Sequence, residues 1–408
     1  DDSMEQRHIR LRTALGNQIL MDDTNGLIYI INRDGTAWVE LDEGGSIHVY
    51  SNQDLNIRAK VDIRSSHSKQ QRPVDGARLG IIDAEKFERI TKTKFILKQF
   101  RFKDGKTLLT YLNSEKPDEF KVILLDLNIQ NFKNISSSIK EKSDIIFFNI
   151  SNPHNSLRAA SCINNLYHTY PSNMMKTDAI SQFLVKKKWN KTLILTGSLN
   201  EDIEMSQSFK ESSKKFGVKI VDEKIFVNSN DPRVREKNDL SFLTKGKKFK
   251  SIFIADVDGE FSLGVPYSTM RPVAILGASG LHPKSWHWSY MRHGAPQVNG
   301  RFERNFSRRM NDKDWASWIA IKSIMESIIR TKSIETKVLK DFLVSDEFKV
   351  DGSKGVSLSY RNNTNQLRQP ILLVASNNWV TAVAPLESFK NRKNNLETLG
   401  LVNKENKC

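Results

Sequence analysis

The chain has 408 residues, 38% hydrophobic and 27% charged, long enough for two or three domains with sizeable cores. Its net charge of +16 is unevenly spread: residues 1–70 hold 8 Lys/Arg against 11 Asp/Glu, a net of −3, and the remainder is +19. No run of about 18 apolar residues marks a membrane span. The Lys residues are scattered, with no aromatic platform or reader motif, which argues against specific nucleic-acid binding; an anionic membrane surface stays open as a weak partner.

The start, Asp1-Asp2-Ser3-Met4, lacks the basic and apolar regions of a secretory signal, so an exported form is expected to be mature or a fragment. Residues 1–66 read as short strands. Gly26–Ile31 precedes the turn Asn32-Arg33-Asp34-Gly35, and Thr36–Leu41 precedes Asp42-Glu43-Gly44-Gly45. Ile47 and Val49 recur eight residues on as Leu55 and Ile57, a spacing that predicts the start of a β-helical repeat. Such a segment buries little alone and would need partner chains. Residues 67–75 are expected to be a linker or junction, polar and without an apolar period up to Pro73.

From residue 76 the pattern changes to strands alternating with helices. Ala77, Ile81, Ile82 and Phe87 fit a first helix; Phe95–Phe102, Val122–Leu125 and Asp144–Phe148 are strand-like. Ser172 is placed to cap a helix, Gly217 to stop one, and Asn311 to start a long one. Thr192–Leu195, Ile252–Ala255 and Val273–Leu276 are further buried strands. The alternation predicts an α/β fold with parallel sheets, too long for one core and therefore two-lobed. Lobe 1 is expected over about 76–168 plus part of 290–345, and lobe 2 over about 172–280 plus part of 346–385.

In such sheets ligands sit beyond the carboxyl ends of strands. The loop Ser151-Asn152-Pro153-His154-Asn155 offers hydroxyls, amides and backbone N–H groups suited to a carboxylate or polar ligand, and serves equally as an ordinary capping loop. Gly197-Ser198-Leu199-Asn200, Asp256-Val257-Asp258-Gly259-Glu260 and Gly277-Ala278-Ser279-Gly280 are comparable loops in the other half. The last leads to Trp286-His287-Trp288. The carboxylates could take amines or a cation, or simply charge a helix start; Trp near a cleft often stacks on ligands, yet is more often core. His282, His287 and His293 lack zinc-like spacing, and no nucleophile elbow, P-loop or dinucleotide fingerprint is present, so neither a metal, a cofactor nor an enzyme is expected. Cys162 and Cys408 are either one disulfide in an exported chain or two free thiols.

Two resemblances add to this reading. Gly16–Thr24, Asp34-Gly35-Thr36, Gly45–Val49 and Asp54–Arg58 make residues 1–66 similar to the C-terminal part of phage baseplate hub and tail-spike proteins. That resemblance implies a trimeric spike, hence a homotrimer through residues 1–66. Residues 76–408 resemble the periplasmic type I substrate-binding proteins of ABC transporters. Ser151-Asn152-Pro153 through Leu157 and Tyr167–Ser172 are similar to the crossover of the branched-chain amino-acid (leucine-binding) type. Arg72–Gly80, Gly280–His287, Asn299–Arg304, Gly355–Leu358, Gln366–Leu373 and Leu396–Gly400 are closer to the members associated with pyrroloquinoline-quinone (PQQ)-dependent alcohol oxidation. The resemblance implies two hinged lobes closing on a small solute in the periplasm, and delivery to a membrane permease. It assigns Ser151, Asn152 and Asn155 to one side of the cleft and Ser198, Asp256 and Trp286 to the other. Cys occurs at both cysteine positions in that family, which implies a Cys162–Cys408 disulfide. Members of the fold begin with a parallel strand; here only Ile57–Ile63 stands in its place, and Arg58, Lys60, Asp62 and Arg64 make it a poor buried strand. Residues 1–66 are expected not to pack closely on the rest.

Overall fold

The computed structural model describes residues 8–43, 46–51, 73–227, 238–246, 248–389 and 394–401. The chain divides into two compact units, Asp1–His67 and Ser68–Cys408.

In the first unit β1 (His8–Arg12), β2 (Gln18–Asp22), β3 (Leu27–Ile31), β4 (Ala37–Leu41) and β5 (Ile47–Ser51) form an antiparallel sheet in chain order. This corrects the β-helical expectation for the described strands. The polar turns reverse the chain at once: Asn32 Oδ1 accepts from the N–H groups of Thr36 (2.9 Å) and Ala37 (3.0 Å), and Asp22 Oδ1 from that of Thr24 (2.9 Å). Leu55 and Ile57 lie outside the described residues. Register aligns Ile9, Met21, Ile28, Leu41 and Ile47 in one cross-strand row. Leu11, Ile19, Ile30, Val39 and Val49 form a second row on the same face. No helix or second sheet covers that face among the described residues of this unit.

The second unit runs, in chain order, through α1 (Pro73–Glu85), α2 (Gly105–Leu112), β6 (Val122–Leu125), α3 (Ile129–Asn134), α4 (Ser136–Glu141), β7 (Ile146–Asn149) and β8 (Leu166–His168). It continues with α5 (Asn173–Lys186), β9 (Lys191–Thr196), α6 (Asn200–Phe216), β10 (Lys219–Ile225), β11 (Ser251–Ala255), β12 (Ala274–Gly277) and β13 (His282–Lys284). Then come α7 (Ala295–Phe306), α8 (Asp312–Thr331), α9 (Thr336–Leu343), β14 (Val350–Asp351), β15 (Ser357–Tyr360), β16 (Leu367–Arg368), β17 (Ile371–Val374) and β18 (Val380–Ala384).

Lobe 1 is built on the parallel sheet β6-β7-β8, and lobe 2 on the parallel sheet β10-β9-β11-β12. Each sheet is apolar on both faces, as a helix-covered parallel sheet requires. Along β7, Ile146 and Phe148 enter one core with Trp315 and Trp318 of α8, while Phe147 enters the opposite core with Leu108 and Phe132. In lobe 2, Ile194 and Phe253 meet α5 and α6 residues such as Ile180 and Phe209, and Leu195 and Ile254 face the other way. The antiparallel sheet β13-β17-β18 packs on α5. Val350, Leu358, Tyr360 and Leu367 join the lobe 1 core, so the return to lobe 2 begins at β17.

Local signals set several boundaries. Ser172 Oγ accepts from Met175 N at 3.2 Å, Asn311 makes a full capping box, and Gly217 ends α6 at φ 80°. The first turn of α1 lies against α8: a Cβ on Gly76 would stand 1.9 Å from the Asp314 carbonyl oxygen. The contact is locked by Arg308, whose guanidinium donates to Asp75 (3.0 Å) and Asp314 (2.6 Å).

The strand expected over Phe95–Phe102 does not form. Its period-two burial begins, with Phe95 and Leu97 half-buried and Ile96 70% exposed, but no neighbouring strand pairs with it among the described residues. Without a ladder, alternation alone makes extended chain rather than sheet. Ile57–Ile63 lies outside the described residues. Cys162 is disulfide-bonded; Cys408 lies outside the described residues.

Candidate functional site

Two described segments carry the chain between the lobes side by side: Thr169–Ser172, from β8 to α5, and Leu367–Pro370, into β17. A third, Leu281–Trp286, returns through β13. Buried polar groups join the first two. Gln366 Nε2 donates to the His168 carbonyl (3.0 Å), and Gln369 Nε2 to that of Thr169 (2.7 Å). Gln369 Oε1 accepts from Lys354 Nζ at 2.8 Å. Lys354 is fully buried over the Trp315 ring (3.5 Å to its centroid), and burial holds its ammonium well below the usual lysine range.

Arg158, on the turn after the β7 loop, ties that loop to both segments. It is 2% exposed and donates to the carbonyls of Asn152, His154 and Tyr170, each at 2.9 Å, and to Gln366 Oε1 at 2.8 Å. These acceptors are neutral. Burial lowers the guanidinium to about 9, still protonated at neutral pH. Asn149 shapes the start of the loop: its Oδ1 accepts from Ser151 N (3.2 Å) and Asn152 N (2.9 Å), and its Nδ2 donates to the Asn152 carbonyl and approaches His168 Nδ1.

The six expected residues fall into different roles. Ser151 is 7% exposed, and its buried Oγ has no hydrogen-bond partner among the described residues. Asn152 is spent on the loop itself, accepting from His154 N (2.9 Å) and donating to the Leu127 carbonyl (3.1 Å). Asn155 joins the lobes directly. Its N–H donates to Glu204 Oε1 (3.0 Å), its Nδ2 to Ser208 Oγ (2.8 Å), and its Oδ1 accepts from Met174 N (3.0 Å). Ser198 is exposed at the end of β9. Asp256, 2% exposed at the end of β11, accepts from Ser262 N (2.8 Å), and its other oxygen is without a partner among the described residues. Burial raises its carboxyl.

Trp286 is the correction. It sits in the lobe 1 core at 1% exposure, stacked on Trp315 with centroids 6.1 Å apart, and its indole N–H donates to Asn299 Oδ1 (2.9 Å). Both the ring and its donor are used internally, so it lines no lobe 2 surface. The nearby pair His287 and Trp288 is half-buried.

Sequence reasoning passed over Tyr170, Lys176, Asp202 and Glu204. Glu204 receives Asn155 N and the side-chain amide of Asn173. Asp202 joins the loops after β9 and β11, accepting from Leu199 N (3.2 Å) and Val257 N (2.6 Å); burial raises its carboxyl to about 6, with Asp256 and Asp258 adding. The loop after β7 therefore meets α6, and α6 holds the loop after β11. Carboxyl ends of strands from both lobes converge, where a ligand would be held between them. No group of three or more His, Cys, Asp or Glu able to hold a metal occurs among the described residues.

No family model matches the chain, and the comparison with curated proteins found no match. Solved structures are. A periplasmic binding protein from Burkholderia mallei aligns over 79% of this chain and 92% of its own, with a TM-score of 0.57 and 11% identity. A leucine-, isoleucine-, valine-, threonine- and alanine-binding protein from Brucella ovis, in its closed conformation, aligns over 74% of this chain and 84% of its own (TM-score 0.61, 10% identity). A Rhodopseudomonas palustris ABC-transporter solute-binding protein in complex with benzoate aligns over 74% and 87% (TM-score 0.57, 12% identity). The class is thus defined by fold: a two-lobed, type I periplasmic-binding-protein architecture.

Proposed function

We propose that the second unit is the solute-binding component of an ABC transporter. It takes a small polar molecule between its lobes in the periplasm and presents it to a membrane permease. The carrying observation is the Ser151 hydroxyl, buried without a hydrogen-bond partner among the described residues on the loop where the two lobes meet. A buried hydroxyl that lacks a partner costs about 1–3 kcal/mol, and a bound polar solute removes that cost. Neighbours of this fold are described in complex with leucine, benzoate and 3,4-dihydroxybenzoic acid, which makes amino acids and aromatic acids the first solutes to try. A place beside PQQ-dependent alcohol oxidation rests on the sequence resemblance and adds short alcohols to that set. The binding reading requires no catalysis. The test is a thermal-shift screen of the full chain, followed by calorimetry on Ser151→Ala. Ligand-dependent stabilisation weakened in the variant is expected; a folded chain that no solute stabilises would refute the reading.

A second reading concerns the first unit alone: self-association as a trimeric spike, favoured by the two aliphatic rows of its sheet that no other described element of that unit covers. Light scattering on the eluting full chain would give three times 46.7 kDa if it holds and 46.7 kDa if it does not.

A further inference from the structure

Lys176, in the first turn of α5, stands beside the crossover with its cation largely unanswered. Its Nζ donates to Tyr170 Oη at 3.2 Å and lies 4.5 Å from the centre of the Tyr170 ring. It has no ion-pair partner among the described residues. The charges that act on it are Asp312 and Glu204, which favour the ammonium, and Lys284 and Arg158, which oppose it. Both carboxylates are already engaged: Asp312 Oδ1 by Trp286 N at 2.8 Å, Glu204 Oε1 by Asn155 N at 3.0 Å. Neither carboxylate forms an ion pair with Lys176 among the described residues, so its close partners there are the Tyr170 hydroxyl and ring. Tyr170 also links the corner to the Ser151 loop, because its N–H donates to the Asn149 carbonyl and Ser151 N donates to the Asn149 side chain.

We infer that the solute is an anion, its carboxylate or equivalent oxyanion received by Lys176 Nζ with the Tyr170 hydroxyl beside it and the Ser151 hydroxyl across the loop. The inference rests on the solute-binding reading above and adds the ligand's charge and the residue that selects it. An ammonium–carboxylate hydrogen bond in a partly desolvated site is about twice as strong as a neutral one. Selection by Lys176 should therefore be visible as affinity rather than only as rate. Burial lowers the Lys176 ammonium to about 8. Its positive charge is thus present at pH 7, and an anion loses its counter-charge as the pH rises past 8.

The test uses the folded full chain and paired probes: benzoate, 3,4-dihydroxybenzoate, leucine and succinate, each against its primary amide, by calorimetry at pH 7. Acids binding at least about tenfold tighter than their amides, and losing that advantage in Lys176→Met but largely keeping it in Lys176→Arg, are expected. Amides or alcohols binding as tightly as the acids would overturn the anion assignment and leave solute binding standing. No binding by any probe would count against both. Acid binding unchanged in a folded Lys176→Met would remove Lys176 from the site. Should that variant fail to fold, wild-type protein decides. Competitive acetylation followed by peptide mass analysis should show Lys176 protected by the binding acid and not by its amide; equal labelling with and without the acid overturns the assignment.

Discussion

Arg158 offers the sharpest test of how the lobes are joined. Replacing it by Met keeps an apolar stem of similar length and removes four hydrogen bonds, to the carbonyls of Asn152, His154 and Tyr170 and to Gln366 Oε1. The His154 carbonyl and Gln366 Oε1 lose their donor, at about 1–3 kcal/mol each, while the Asn152 and Tyr170 carbonyls keep Asn149 Nδ2 and Gln366 Nε2 and lose about 1 kcal/mol each, roughly 6 kcal/mol together. Against this stands the unfavourable burial of the cation. Lowering the guanidinium from its ordinary value to about 9 corresponds to roughly 5 kcal/mol at about 1.4 kcal/mol per pH unit, and Met removes that cost. The hydrogen-bond loss wins by about 1 kcal/mol. Urea denaturation followed by tryptophan fluorescence reads the second unit, which holds six of the seven tryptophans. The expected result is a lower midpoint at unchanged slope. An unchanged or raised midpoint would mean that the four bonds add nothing beyond what burial of the cation removes, and the clamp argument would fail.

Three further outcomes follow from the same geometry. Gly76→Ala should destabilise by at least about 3 kcal/mol, because its Cβ meets the Asp314 carbonyl at 1.9 Å. Gly217→Ala, strained only by its φ of 80° with open space around it, should cost about 1 kcal/mol; thermal melts of the two variants compare them. Asp202 has a folded-state carboxyl raised above its unfolded value, so the stability it contributes is present below pH 4 and is lost as the pH rises through about 6; Asp202→Asn should flatten that decline in urea midpoints. Lys354 has a folded-state ammonium lowered by burial. The unfolded chain then holds more protons over the range between the lowered folded value and the ordinary lysine value, stability rises with pH across that range, and Lys354→Met should remove that rise.

What was legible in the sequence was local or periodic. Ser172, Gly217 and Asn311 act on backbone groups within four residues, so their roles could be read from residue type and spacing. The buried strands announced themselves as short apolar runs. Arg158 was invisible as a clamp because its Gln366 partner is 208 residues away and its other acceptors are backbone carbonyls, which carry no sequence signal. Lys176 looked like one more lysine on a helix in a strongly basic chain; only the fold puts Asp312, Lys284 and Tyr170 around it. Trp286 misled because an aromatic after a strand-end loop has the same sequence signature whether it faces a cleft or a core, and Asn299 with Trp315 decided for the core. Phe95–Phe102 misled for the opposite reason: its alternation is genuine, and what it lacks is a strand to pair with.

The wiring of the crossovers sets which displacements of one segment against the other are costly. Gln366 and Gln369 fasten Thr169 and its neighbours to the strand entering β17, and Arg158 adds the β7 loop to the same bundle. Pulling these two segments apart would strand several buried donors and acceptors at once, each at about 1–3 kcal/mol. Turning them together strands none. The third segment is held to the start of α8 through Trp286 N and Asp312, the carboxylate that also acts on Lys176. An anion arriving there would sit in the corner where two of the three described inter-lobe segments meet. Gln366→Leu, which removes one of the two glutamine ties between the crossovers without touching Lys176, should for that reason lower the urea midpoint while leaving acid affinity within about threefold. A loss of binding as large as that expected for Lys176→Met would show that the bundle, and not the unpaired cation, sets the affinity.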